Sequence, residues 1–180
     1  MRAETVKECK RGFTIVELIV VVSIVAILTF VAISTFREMI DKYQVESKTK
    51  EMFSAIMEAR GRALQRSRIV FVLLLNNAYE VYEDTDPAPE GNGFLEVVRD
   101  GPGGDKQVIS ETLKHNILAP FAAPDMYFRF ERTGIASAAG YIRIEPRFER
   151  VRPDYDCINI GQTRVKMGQF DKAGGSCVEK

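Results

Sequence analysis

Three regimes of hydrophobic patterning follow one another along the 180 residues. The first is a continuous apolar run, FTIVELIVVVSIVAILTFVAI, in which Glu17 is the only formal charge between Phe13 and Ile33. About 20 helical residues cross a hydrocarbon core of roughly 30 Å, so this run predicts one membrane span. The second regime, STFREMIDKYQVESKTKEMFSAIMEARGRALQRSR, has no proline and a single glycine, Gly61. Phe36, Ile40, Tyr43, Met52, Phe53, Ile56, Ala59, Ala63 and Leu64 recur mostly at three- and four-residue intervals among charged residues, the pattern of an amphipathic helix. One helix from Phe13 to about Gln65 is expected, with DKYQVESKTK as the weakest part of its stripe.

In the third regime the period shortens. IVFVLLL and AYEVYED, separated by Asn76-Asn77, read as two strands joined by a turn. FLEVVRD, QVISETLKH, MYFRFER, GYIRIEP and CINIGQTRVKMG continue the strand signals, while DTDPAPEGNG and GPGGD read as turns. One helix followed by six or seven short strands predicts an α+β fold, with an antiparallel sheet laid on the helix's apolar stripe. The expected divisions are residues 1–12 as a basic leader, 13–35 as the membrane-spanning helix, 36–66 as its amphipathic continuation and 67–180 as a β-rich exported domain.

Bulk charge adds little, because 25 basic residues balance 25 acidic ones. Its distribution adds a topology: Arg2, Lys7, Lys10 and Arg11 precede the apolar run against Glu4 and Glu8, which holds the N-terminus in the cytoplasm and sends the remainder across the membrane. Gly12 directly precedes Phe13, so a cut between them would remove the leader and leave the apolar helix attached. Export also bears on the cysteines. Cys9 would leave with the leader, whereas Cys157 and Cys177 would meet oxidising conditions together, and a disulfide between them would contribute on the order of 3 kcal/mol. Two reduced core thiols are the alternative; zinc ranks lower, because there is no C-x-x-C and His115 is the only histidine.

A carboxylate inside hydrocarbon costs up to about 3 kcal/mol on insertion scales, less near a helix end, where Glu17 could snorkel to the headgroups. A cut after Gly12 offers another solution. It creates a cationic amine on Phe13, and the Glu17 of an incoming copy could pair with the amine of a copy already assembled, fixing the stagger of bundled helices.

KRGFTIVELIVVVSIVAILTFVAI resembles the N-terminal signal of the type IV pilin and type II secretion pseudopilin superfamily, with Gly12 at the cleavage site, Phe13 as the residue to be N-methylated and Glu17 as the fifth residue of the mature chain. The resemblance implies a pilin-like fold, processing by the prepilin peptidase, and polymerisation with other pilins or pseudopilins. It also implies an inner-membrane assembly platform with a cytoplasmic ATPase as a partner, and no enzymatic activity or cofactor in the chain itself. MEARGRALQRSRIVFVLL, FRFERTGIAS and TRVKMGQF resemble segments of the minor pseudopilin H and FimT family, whose C-terminal strand commonly carries Gly-Arg-x-Arg; Thr163 and Lys166 depart from that pattern. Some FimT-like pilins resemble DNA receptors through this region, which makes Arg164 and Lys166 the candidate DNA contacts. The bland alternative is a solvated strand face balanced by Glu145, Glu149, Asp154 and Asp156.

Catalytic patterns are missing: the chain has no G-x-S-x-G, no H-E-x-x-H and no Walker loop. A signal-anchored exported enzyme is accordingly the weakest class. Asp84, Asp86 and Glu90 could offer oxygens to calcium, but their spacing differs from the EF-hand loop. His115, between Lys114 and Asn116, is expected at the surface.

Overall fold

With no proline from Ile15 to Arg66, nothing covalent interrupts a helical ladder, and the computed structural model has an unbroken helix, α1, over Ile15–Arg66. The structure describes residues 13–86, 91–98, 103–120 and 126–180; Gly12, the rest of the leader and Glu90 lie outside the described residues. The chain divides into two compact units, Met1–Glu38 and Met39–Lys180.

In the first unit the apolar side chains of α1 are exposed all round, including Ile15, Val16, Leu18, Ile19, Val22, Val25, Ile27 and Leu28. Two hydroxyls among them are satisfied inside the helix: Ser23 donates to the Ile19 carbonyl at 2.8 Å and Thr29 to the Val25 carbonyl at 2.7 Å. Such a surface suits hydrocarbon or other apolar helices, where free hydroxyls would be costly. The helix is long and apolar enough to cross a membrane.

In the second unit one face of α1 is buried. Val45, Thr49, Met52, Ile56, Ala59 and Ala63 alternate four- and three-residue steps and are all inaccessible to solvent. This stripe differs from the sequence expectation. Ile40, Tyr43 and Leu64 point outward, and the stripe continues through DKYQVESKTK because Thr49 returns its hydroxyl to the Val45 carbonyl at 2.8 Å. The helix ends where Ser67 turns left-handed, at φ 51°.

Among the described residues nine strands follow: β1 Val70–Leu74, β2 Ala78–Glu83, β3 Lys106–Thr112, β4 Ile117–Leu118, β5 Tyr127–Phe130, β6 Gly140–Ile144, β7 Cys157–Ile160, β8 Val165–Asp171 and β9 Ser176–Glu179. They form two antiparallel sheets rather than one, in the orders β3-β2-β1-β5 and β4-β6-β7-β8-β9. Alternate residues of both enter the core: Tyr79 and Val81, Phe128 and Phe130, Ile142 and Ile144, Ile158 and Ile160. The α+β architecture is as the pattern predicts.

FLEVVRD departs from expectation, since residues 94–98 form no strand. Side chains take the amides there: Phe94 N–H donates to Asn92 Oδ1 at 2.8 Å and Glu96 N–H to Asp105 Oδ2 at 3.0 Å. CINIGQTRVKMG is interrupted by a turn, closed by the Gly161 N–H on the Arg164 carbonyl at 2.7 Å, and supplies both β7 and β8.

Cys157 on β7 and Cys177 on β9 form a disulfide with Cα atoms 6.0 Å apart. The strand between them, β8, presents Gly168 opposite Cys157, where a Cβ would stand 3.0 Å from Cys177 Sγ and 2.2 Å from the Val178 carbonyl oxygen. Only glycine lets the bridge pass over β8.

His115 is buried, contrary to the sequence expectation, because α1 supplies a partner 74 positions away in the chain. Its Nε2 lies 2.8 Å from Asp41 Oδ1, while Asp41 Oδ2 accepts the backbone N–H groups of Arg147 at 2.9 Å and Phe148 at 3.4 Å. Asp41 thus ties the helix to two loops that local sequence cannot pair with it. Removing it strands buried donors, which costs about 1–3 kcal/mol. Asp41→Ala is expected to lower the unfolding free energy of the detergent-solubilised chain by about 2 kcal/mol in urea titrations, whereas truncating the exposed Tyr43 changes it by less than about 0.5 kcal/mol.

Candidate assembly site

The first turn of α1 is organised by Thr14. Its Oγ1 accepts the Glu17 N–H at 3.2 Å and its carbonyl accepts the Leu18 N–H at 3.2 Å, so Thr14 is the N-cap and Glu17 the third helical residue. Thr-x-x-Glu before an apolar run is a helix-start signature in its own right, and it is the local signal that the expected start at Phe13 leaves unused. Phe13 precedes the cap and is exposed. Glu17 stands in the first turn, where the unpaired N–H groups favour an anion. A carboxylate so placed is partly compensated by its own helix and remains available to an external cation. Gly12, on the other side of the expected cleavage point, lies outside the described residues.

Arg164 and Lys166 are both exposed and both favour the charged form of Glu179 on β9. Arg164 stands in the turn before β8, the Lys166 ammonium is paired with Glu179, and Asn159 Nδ2 donates to the same carboxylate at 3.1 Å. Arg143 is largely buried; its guanidinium stacks on the Phe170 ring at 4.1 Å and approaches Glu145 at 3.5 Å and Asp156 at 3.9 Å. Burial pushes the Asp156 carboxyl upward, against the Phe170 N–H and Arg143, which favour its charged form.

The acidic loop residues have structural occupations. Asp84 accepts the Asn92 N–H at 3.1 Å and the Gly93 N–H at 2.8 Å, and Asp86 accepts the Gly104 N–H at 2.9 Å. Gly91, at φ 78°, approaches so closely that a Cβ would lie 1.8 Å from Asp84 Oδ1. Burial, with Asp105 and Glu96 nearby, raises the Asp84 pKa despite these donors. Among the described residues no group of three or more His, Cys, Asp or Glu side chains is arranged to hold a metal ion.

The prokaryotic N-terminal methylation motif matches residues 9–33, spanning the leader junction, Phe13 and Glu17. The match supports a pilin- or pseudopilin-type subunit with a membrane-anchoring helix. Comparison with curated proteins and with solved structures gives no match.

The Lys166 contact fixes the sign of one titration. It holds the Glu179 carboxyl below the ordinary glutamate range, so its small contribution to stability is present at neutral pH and fades as pH falls through the lowered pKa. Carboxyl-carbon NMR is expected to show Glu179 titrating below the ordinary glutamate range, and Lys166→Gln to move it up towards that range.

Proposed function

We propose that the chain is a minor pilin-like structural subunit. In this reading the prepilin peptidase cuts between Gly12 and Phe13 and methylates the new Phe13 amine; the span at 13–35 then holds the subunit in the inner membrane, with the N-terminus cytoplasmic and residues 67–180 exported. Residues 36–66 continue the span as the amphipathic helix that carries the domain. Assembly into a type II secretion pseudopilus or a type IV pilus would support secretion or pilus initiation, driven by an assembly platform and its ATPase. The minor pseudopilin H and FimT branch is the subtype its Ala-Arg helix end and C-terminal strands favour.

One observation carries this reading: the methylation motif at residues 9–33 holds Glu17 in the first turn of α1, within an otherwise apolar run and four residues beyond the amine that the cut would create. Pairing Glu17 of an incoming subunit with the Phe13 amine of an assembled one removes two desolvation costs with one contact. A structural role is preferred to DNA uptake because the Lys166 ammonium is already engaged by Glu179. It is preferred to an exported enzyme because the chain's one histidine is a buried tie to the helix.

Mass spectrometry of the N-terminal peptide from host membranes tests the reading. The expected species begins at a methylated Phe13. An intact Met1 terminus, or a cut beyond the apolar run, would remove the proposed charge pair at its source.

A further inference from the structure

The loop between β6 and β7 carries a second feature that filament assembly leaves unused. In PRFERVRPDYD, the side chains of Arg147, Phe148, Arg150 and Arg152 are exposed, and Lys172 joins them by donating to the Glu149 carbonyl at 2.8 Å. Among the described residues none of the three arginines forms an ion pair. The acids that would neutralise them are committed elsewhere: Asp154 to Lys42 at 3.0 Å, Asp156 beside Arg143, and Asp41 to His115. Glu149 faces solvent with them; Asp154 is exposed too but paired with Lys42, and the partly exposed Glu145 approaches Arg143 at 3.5 Å.

The loop is also held in place. Asp41 accepts the Arg147 and Phe148 amides, Glu46 accepts the Asp154 N–H at 2.8 Å, and Lys50 lies 5.5 Å from the Tyr155 ring centroid. Its anchor, Asp41, follows Ile33 by only eight positions. Eight residues span at most about 28 Å, whatever the arrangement of the two units, so an anchored chain keeps this loop near the bilayer. Tethering raises the effective concentration of the membrane surface at the loop far above that of any soluble anion.

We propose that the β6–β7 loop rests on the anionic headgroups of the bilayer that holds the apolar run. Three arginines and a neighbouring lysine supply the charge complementarity, and the exposed Phe148 ring suits the interfacial zone. A nucleic acid would meet the same cations, but the exposed ring and the short tether favour the membrane. The inference rests on the membrane-anchored reading of residues 13–35.

The test is hydrogen exchange on the full chain in nanodiscs of phosphatidylcholine, alone or mixed with phosphatidylglycerol. Exchange in the peptide from Arg147 to Tyr155 is expected to slow by about fivefold in the mixed discs, roughly the bias that one cation near an anionic surface gives. The effect should shrink with added salt and vanish in the triple variant Arg147→Gln, Arg150→Gln, Arg152→Gln, while exchange across β6, β7 and β8 stays unchanged. Equal exchange in the two discs overturns the proposal and leaves the anchor intact. Slowing by an oligonucleotide but not by phosphatidylglycerol also overturns it, assigning the cations to nucleic acid. A chain that enters neither disc overturns the anchor as well.

Discussion

Burial of one face of α1 is the constraint around which the β-rich unit is built. Val45, Met52 and Ile56 supply most of its apolar volume, and a fully buried side chain of this kind contributes about 1.5–3 kcal/mol. Ala59 and Ala63 keep the later turns narrow, and the same core takes large strand residues such as Phe128 and Phe130. Burial alone is non-directional, and carboxylates give it direction. Asp41 fixes the early turns to the loops around His115 and Arg147. Near the helix end, the buried Glu83 of β2 receives Arg62 at 3.1 Å and Arg66 at 2.7 Å. A buried carboxylate satisfied from two sides is costly to misplace, so both ends of the stripe are specified by polar contacts.

The first unit reverses these proportions. Apolar side chains such as Val22 and Leu28 face outward, the Ser23 and Thr29 hydroxyls are satisfied internally, and the one acidic residue within the span, Glu17, stands at the positive end of the helix. The cap on Thr14 explains how a carboxylate is tolerated so close to the hydrocarbon: unpaired N–H groups of the first turn already favour negative charge there. Under the proposed function, the amine of a processed Phe13 would pair with this carboxylate between subunits.

The α+β class and most strands were legible because alternation records which side chains face the core; GYIRI, with Ile142 and Ile144 inward, is a clear instance. The division into two sheets was not legible, since it depends on pairings such as β1 with β5 between distant segments. Nor could spacing reveal His115, whose burial depends on Asp41 across the fold. The failure at 94–98 has a different cause: its composition suits a strand, but carboxylate and amide side chains capture its N–H groups. β4 is too short to show a period, and β9 pairs with β8 and is joined to β7 by the Cys157–Cys177 bridge across Gly168. At the N-terminus Glu17 stood out by contrast with its surroundings, whereas the Thr14 cap was legible only through the Thr-x-x-Glu spacing.

Coassembly of Glu17→Ala with its native partners tests the central claim most directly. The processed variant, quantified in filaments against the unaltered subunit at equal membrane abundance, should be depleted about tenfold or more, since even 1.4 kcal/mol of lost pairing gives that factor at equilibrium. Incorporation at normal stoichiometry would show that the pairing between Glu17 and the Phe13 amine is dispensable.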